Sequence, residues 1–308
     1  MPRSQNVTGQ DVSGSFPEFW KAALQVPLYK SLVALEVAST DLQSELQLGD
    51  TLHYNYFGNL ASEAYSPGSP VSAKVMDFTD DYITVDTKRD VAIYVDNVDQ
   101  MQSNLPSIGG SMAEEMAYRL ADDIDQAVFA VGNIDRGILF RGEHIAGGAS
   151  GHSITATTAN IIDIFSKARQ KLREGHVTEG DWIAVIDADT MELIESKSTG
   201  VGYNVADATL RNGYAGEWMG FKLYLSQNLP TSTVSTGGTV ETGAYCRHLY
   251  IGKRGMIDLV MQQSPTMVIK DVSDKLGKNH IAYTVYGTKV FTKNSDRFLD
   301  VRVHKITY

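Results

Sequence analysis

The chain has one cysteine, Cys246, in 308 residues. A single thiol makes no intrachain disulfide, so no disulfide framework holds this fold, and the usage suits a reducing cytoplasm. Cys246 itself reads as a small buried or half-buried thiol. Long apolar runs are also missing: no segment approaches the ~18 residues of a membrane-spanning helix. The opening MPRSQNVTGQDVSGSF lacks an apolar core and does not read as a signal peptide. Positive charge is short, with 27 Lys and Arg against 37 Asp and Glu, a net charge of −10. That argues against gripping phosphates as the main activity, since duplex binding draws on many cationic contacts. A local basic patch is still possible.

Catalytic signatures are missing as well. GGASGHS puts His152 where a nucleophile elbow needs glycine. GKRG (252–255) lacks the phosphate-loop spacing, GVGYNV lacks the third glycine of a dinucleotide turn, and there is no HExxH or CxxC. The seven histidines, at 53, 144, 152, 176, 248, 280 and 304, show no metal-ligand spacing. Asp187 and Asp189 follow a strand, a usual place for a metal-binding pair, but a helix start is the simpler account of them. No catalytic residue, cofactor or metal is expected.

What is present is an ordinary globular composition, 43% hydrophobic and 21% charged, enough to bury a core. Residues 1–16 are polar and read as an arm. Phe16, Phe19, Trp20, Leu24 and Leu28 then recur at roughly helical spacing, interrupted by Pro17 and Pro27. TLHYNYF (51–57) and VSAKVM (71–76) suit the two strands of a hairpin around a loop rich in Gly, Ser and Pro. Residues 82–96 alternate most clearly, with TKRD as a turn or an exposed strand middle. SIGGSMAEEMAYRLADDIDQAVFAVG opens on a capping box, Ser111 with Glu114, and carries the stripe Met112, Met116, Leu120, Ile124, Val128 and Val131. The spacing predicts a helix over 111–131. Asp122, Asp123 and Asp125 on it read as a solvated or interface face, since neighbouring helix positions diverge. A second helix is expected near 159–174, a strand at 181–187, a short helix from Asp189 to Ser196, and strands from 246 onward. Late strands are expected to pair with those before the long helix. NGYAGEWMGFKLYLSQNLP (212–230) poses a question of its own: three glycines, one brief strand and a hard stop, with no acid, base or ligand set around them.

Four passages, in this order, resemble the major capsid proteins of tailed bacteriophages, the family with the HK97 fold. LGDTLHYNYF with its Gly/Pro loop is similar to the family's E-loop. DYITVDTKRDVAIYVDNVDQMQSN is similar to the lead-in to its spine helix. MAEEMAYRLADDIDQAVFA, with the Ala-Asp-x-Ile-Asp pattern at Ala121 to Asp125, is similar to that helix. The stretch at 212–230 is similar to a passage of the axial domain. The resemblance implies an α+β, HK97-like capsid fold. It divides the chain into an N-terminal arm at 1–46 and an E-loop hairpin at 47–76. A peripheral domain takes 77–135 and 261–308, and an axial domain takes 136–260.

The function implied is self-assembly as pentamers and hexamers into an icosahedral shell around double-stranded DNA, without tight sequence-specific binding. The arm and E-loop would lie on neighbouring copies. Their aromatics suit buried contacts, and the prolines of the loop tip lower its ordering cost. The assembly contacts expected are Phe19, Trp20, Leu28, Tyr54, Tyr56, Tyr65, Pro67, Pro70, Asp122 and Asp123. The partners implied are further copies, a separate scaffolding protein, a portal and a possible decoration protein, with no membrane. The location implied is the virion, after assembly in the host cytoplasm. Self-crosslinking is not expected, because Lys74 sits in no matching motif. The alternatives are an encapsulin-type nanocompartment shell and an α+β enzyme using Asp187 and Asp189 or the loop at 141–152.

Overall fold

The computed structural model describes residues 30, 32–44, 50–57, 62–64, 66–68, 70, 78–97, 108–132, 154–177, 180–201, 214–236, 239–272, 275–291 and 298–305. The largest unit is a seven-stranded mixed sheet. Its central strand β5 (Trp182–Ile186) is buried at every position, as a strand covered on both faces should be. β5 runs parallel to β7 (Phe221–Leu225) and antiparallel to β9 (Thr239–Lys253). Beyond β9 come β12 (Phe298–Lys305) and β4 (Ile154–Ala156), and beyond β7 comes β6 (Tyr214–Trp218); β8 (Thr231–Thr236) pairs with β9. Helix α3 (Ile161–Glu174) buries Ile161, Ile164, Phe165, Ala168 and Leu172 in the core formed around this sheet, one apolar stripe at helical spacing. Phe165 meets Trp218 edge-on at 4.8 Å and Phe221 at 5.9 Å. Helix α4 (Ala188–Val201) follows β5.

A second, antiparallel sheet has the order β10 (Asp258–Asp271), β11 (Gly277–Lys289), β3 (Thr87–Asp96). A strand before the long helix therefore pairs with one from the chain's last third. The long helix α2 (Ile108–Gly132) packs Met116 and Leu120 against Val91, Ile93 and Ala282 of this sheet. Its second half carries Ile124, Val128 and Phe129 into the main core. Phe129 stacks on Tyr250 of β9 at 5.9 Å, and the Tyr250 hydroxyl donates to the Phe129 carbonyl at 2.8 Å. At 25 residues, α2 spans about 37 Å and fastens the two sheets together. Short helix α1 (Ala34–Val37) adds Ala34 and Val37 to the same core.

Three expectations are corrected. The strand that pairs with β1 (Thr51–Phe57) is β2 (Phe78–Thr84), not 71–76, which lies outside the described residues. The alternating region therefore breaks at Val85–Asp86, and TKRD is exposed strand, the second of the two readings the sequence left open. α2 begins one turn before Ser111, so that residue is inside the helix rather than its cap. Residues 298–305, expected beside β10 and β11, pair instead with β9 and β4. Alternation identifies a strand but not its partner, and Leu299, Val301 and Val303 are buried in the larger core.

Gly287 of β11 marks a close crossing: a methyl group there would overlap the Thr84 carbonyl oxygen and come within 3.1 Å of the Val85 Cα. Backbone does not yield as a side-chain tip does. Gly287→Ala is expected to cost about 1–3 kcal/mol, read as a lower urea midpoint at unchanged slope.

Candidate assembly interface

The β1–β2 hairpin has two unlike faces. On one, Leu52 of β1 and Ile83 of β2 pack with Val85, Val260 and Phe291, which roots the hairpin in the subunit. Lys289 reinforces the root by bonding the Asp81 carboxylate and the Tyr82 carbonyl. Toward the tip, Phe57 and Phe78 are register partners and stand 59% and 69% exposed. Tyr82, on the same face, is 51% exposed, beside the hydrogen-bonded His53 and Asp80 at 2.9 Å. Phenylalanines have no polar tip to wet, so this is apolar area left in water.

Of the residues expected at assembly contacts, Tyr54 is 40% exposed with its ring 5.7 Å from Phe291, and Tyr56 is half-buried. Pro67 and Pro70 are exposed. Pro67-Gly68 forms a turn with Gly68 at φ 89°, the proline-glycine order that suits a type II turn. Phe19, Trp20, Leu28 and Tyr65 lie outside the described residues, as do Lys74 and the loop at 141–152. Phe57, Phe78 and Tyr82 were missed. The weak alternation of β1 favoured its tyrosines, and the Phe57–Phe78 pairing requires a register that sequence spacing does not supply.

Asp122 is corrected. Asp122 and Asp125 are three positions apart, share a face and turn inward, both buried. The Asn228 Nδ2 donates to Asp122 Oδ1 at 2.6 Å and to Asp125 Oδ2 at 2.9 Å. Asp125 Oδ1 accepts the backbone N–H groups of Val33 at 2.8 Å and Ala34 at 2.7 Å. The Lys30 Nζ lies 2.9 Å from Asn228 Oδ1 and 3.4 Å from Asp122 Oδ2. Burial pushes the Asp125 carboxyl above its ordinary range, against the opposing hydrogen bonds from Asn228, Ala34 and Val33. Asp123 is half-buried, and its carbonyl accepts the Tyr286 hydroxyl at 3.4 Å. Asp122 therefore belongs to an interior joint rather than an outer surface.

Asn228 comes from the stretch whose purpose the sequence left open. Met219 and Gly220, at φ 52° and 81°, make the two-residue loop that turns β6 into β7. Both central residues at positive φ match a type I′ hairpin. Gly216, at φ 107°, sits at a register shift, where a bulge needs such a backbone. After β7, the Ser226 N–H donates to the Ile186 carbonyl at 3.0 Å, and Ser226 Oγ accepts the Asn228 N–H at 3.2 Å. These bonds aim Asn228 at α2. Gly213 lies outside the described residues.

Of the positions considered for chemistry, Asp187 has a structural partner. Asp187 Oδ1 accepts the Thr190 N–H at 3.1 Å, an N-cap for α4, and Asp189 is exposed. Asp187→Ala is expected to lower stability by about 0.5–2 kcal/mol in urea titration and to leave assembly intact. Loss of assembly would overturn the capping role. Among the described residues, no group of three or more His, Cys, Asp or Glu is placed to hold a metal ion. His248 and Asp300, fully buried on adjacent strands, pair at 2.9 Å, and Arg302 Nε lies 3.8 Å from the same carboxylate. Burial, with Asp300 nearby, pushes the Tyr250 hydroxyl far above its ordinary range. Sequence reading missed this pair because its members are 52 residues apart.

No family model and no curated protein matches the sequence. Solved structures do match. One from Mycobacterium phage Che8 is 19% identical, with 93% of this chain and 96% of that chain covered at a TM-score of 0.72. The capsid structure of cyanophage P-SCSP1u is 15% identical, with 98% and 97% covered at 0.70. The mature capsid of bacteriophage PhiM1 is 15% identical, with 95% and 93% covered at 0.68. The chain has the HK97-like capsid fold. In this capsid fold the exposed Phe57–Phe78 pair is carried on the hairpin, and the joint at Asp122, Asp125 and Asn228 lies between the long helix and the large sheet.

Proposed function

We propose that this chain is a major capsid protein whose copies assemble as pentamers and hexamers into an icosahedral shell enclosing double-stranded DNA. The observation that carries the reading is the β1–β2 hairpin. It is rooted at Leu52 and Ile83 yet ends in an exposed aromatic pair. A two-stranded ribbon is marginal by itself, and a neighbouring copy lying under Phe57 and Phe78 would bury what the subunit leaves open. The hairpin then serves as the E-loop and α2 as the spine helix. The sheet around β5 is the axial unit, and the sheet of β3, β10 and β11 is the peripheral one. The net charge of −10 suits a wall along which DNA must slide during filling and release. A separate scaffolding protein, a portal and a decoration protein are the further partners proposed. Assembly takes place in the host cytoplasm and the product is the virion shell.

The test is electron microscopy of the purified protein, expressed with and without the proteins encoded beside it. Closed shells, or pentamers and hexamers, are expected. Shells filled with protein rather than nucleic acid would mark a cargo compartment instead. A monomer under every condition would overturn the reading.

A further inference from the structure

Two sequence passages about a hundred residues apart meet in the polar joint. Ala-Asp-x-Ile-Asp on α2 supplies two carboxylates, and Ser-x-Asn-Leu-Pro after β7 supplies the amide between them. A third segment, residues 30–34, is held by both: its backbone at Asp125, its ammonium at Asn228 and Asp122, and the Lys30 N–H on the Tyr118 hydroxyl at 2.8 Å. We propose that these residues act as one mechanical coupling, through which displacement of the loop 226–230 against α2 releases the backbone at Val33 and Ala34.

The physical reason lies in the Asn228 Nδ2. One nitrogen donates to both carboxylates, so it holds together two groups of like charge that would otherwise separate. Without it, Asp122 and Asp125 repel across one helical turn, and Asp125 has no bond fixing its second oxygen. Its first oxygen is the acceptor of two main-chain N–H groups whose residues are buried in the core. Those two groups are the far end of the coupling: they touch neither Asn228 nor Lys30, yet they depend on the carboxylate that Asn228 orients. Downstream, Ser39 bridges to Asp258 and Val37 is buried. Release is therefore confined to the backbone at Val33 and Ala34 and the Lys30 end of this segment. A movement of the helix or of the large sheet is reported there and not across the subunit.

Hydrogen exchange on the full-length chain tests this. In Asn228→Ala, protection of the Val33 and Ala34 amides is expected to fall about tenfold to a hundredfold, the scale of bonds to a charged acceptor. Ile164 and Phe165 of α3 should keep theirs. Unchanged protection at Val33 and Ala34 overturns the coupling, because the removed side chain does not touch them. An equal loss at Ile164 and Phe165 also overturns it, since that is general destabilisation. Lys30→Gln keeps Asp125 and Asn228 and serves if Asn228→Ala does not fold. It should loosen the same two amides about threefold to tenfold, and no change there overturns the proposal equally.

Discussion

Deleting residues 58–70 is expected to abolish closed shells while leaving a folded subunit. The described residues of that loop, 62–64, 66–68 and 70, are all exposed, and none belongs to a core cluster. Residues 71–77 remain to join β1 to β2, whose seven-residue register from Thr51–Thr84 to Phe57–Phe78 is untouched. Shortening a flexible connection changes closure entropy slowly, about 0.6 kcal/mol per halving. The connection between Phe57 and Phe78 falls from 20 residues to 7, about one and a half halvings, so subunit stability should move by no more than about 1 kcal/mol. Under the proposed assembly, every copy would lose its reach onto a neighbour, a deficit repeated at each subunit. Electron microscopy and sedimentation read the particles, and urea titration reads the subunit. Intact particles from the deletion would sink the proposal that this loop docks on a neighbour. An unfolded subunit would show that the loop supports its own chain.

His248→Leu is expected to cost about 3 kcal/mol, the penalty of leaving a buried charged acceptor without its donor. The substitution keeps the volume of the core but leaves the Asp300 carboxylate fully buried, with the more distant Arg302 as its remaining ion-pair partner among the described residues. Removing the hydrogen-bonded pair as a unit is gentler, because replacing both partners by apolar groups of similar shape leaves no buried polar group unsatisfied. His248→Leu with Asp300→Leu should therefore recover most of the loss. A double-mutant cycle in urea measures the coupling directly. A single-substitution cost below about 1 kcal/mol, or a double variant no better than the single, would show that the pair is not the unit claimed.

Local pattern was legible where one segment decides its own structure. The stripe along α2, the apolar face of α3 and the uniformly buried β5 all follow from spacing, and each was found within a few residues of its observed ends. Pairings set by distant chain were not legible. β2 is FTDDYIT, too polar to stand out until β1 lies against it. β12 has a strand's alternation but no mark of its neighbour. Asp122 and Asp125 are the plainest case. On sequence they are polar residues of an amphipathic helix, and only Asn228, about a hundred residues later, makes them interior. The Phe57–Phe78 pair was hidden for the same reason: two phenylalanines twenty-one residues apart become one patch through register alone.

The place of β12 in the large sheet sets an order of events. It lies between β4 and β9, and β4 has no other partner among the described strands. β4 is made 142 residues before β12 begins. Pairings of such long sequence separation form slowly, since the intervening chain must be closed first. β5, β7 and β9 can settle while the protein is still being synthesised, but the β4 edge stays open until Phe298–Lys305 arrives. Maturation of the subunit therefore ends at that edge, and a chain stalled before residue 298 presents an unfilled sheet rather than a smaller finished one.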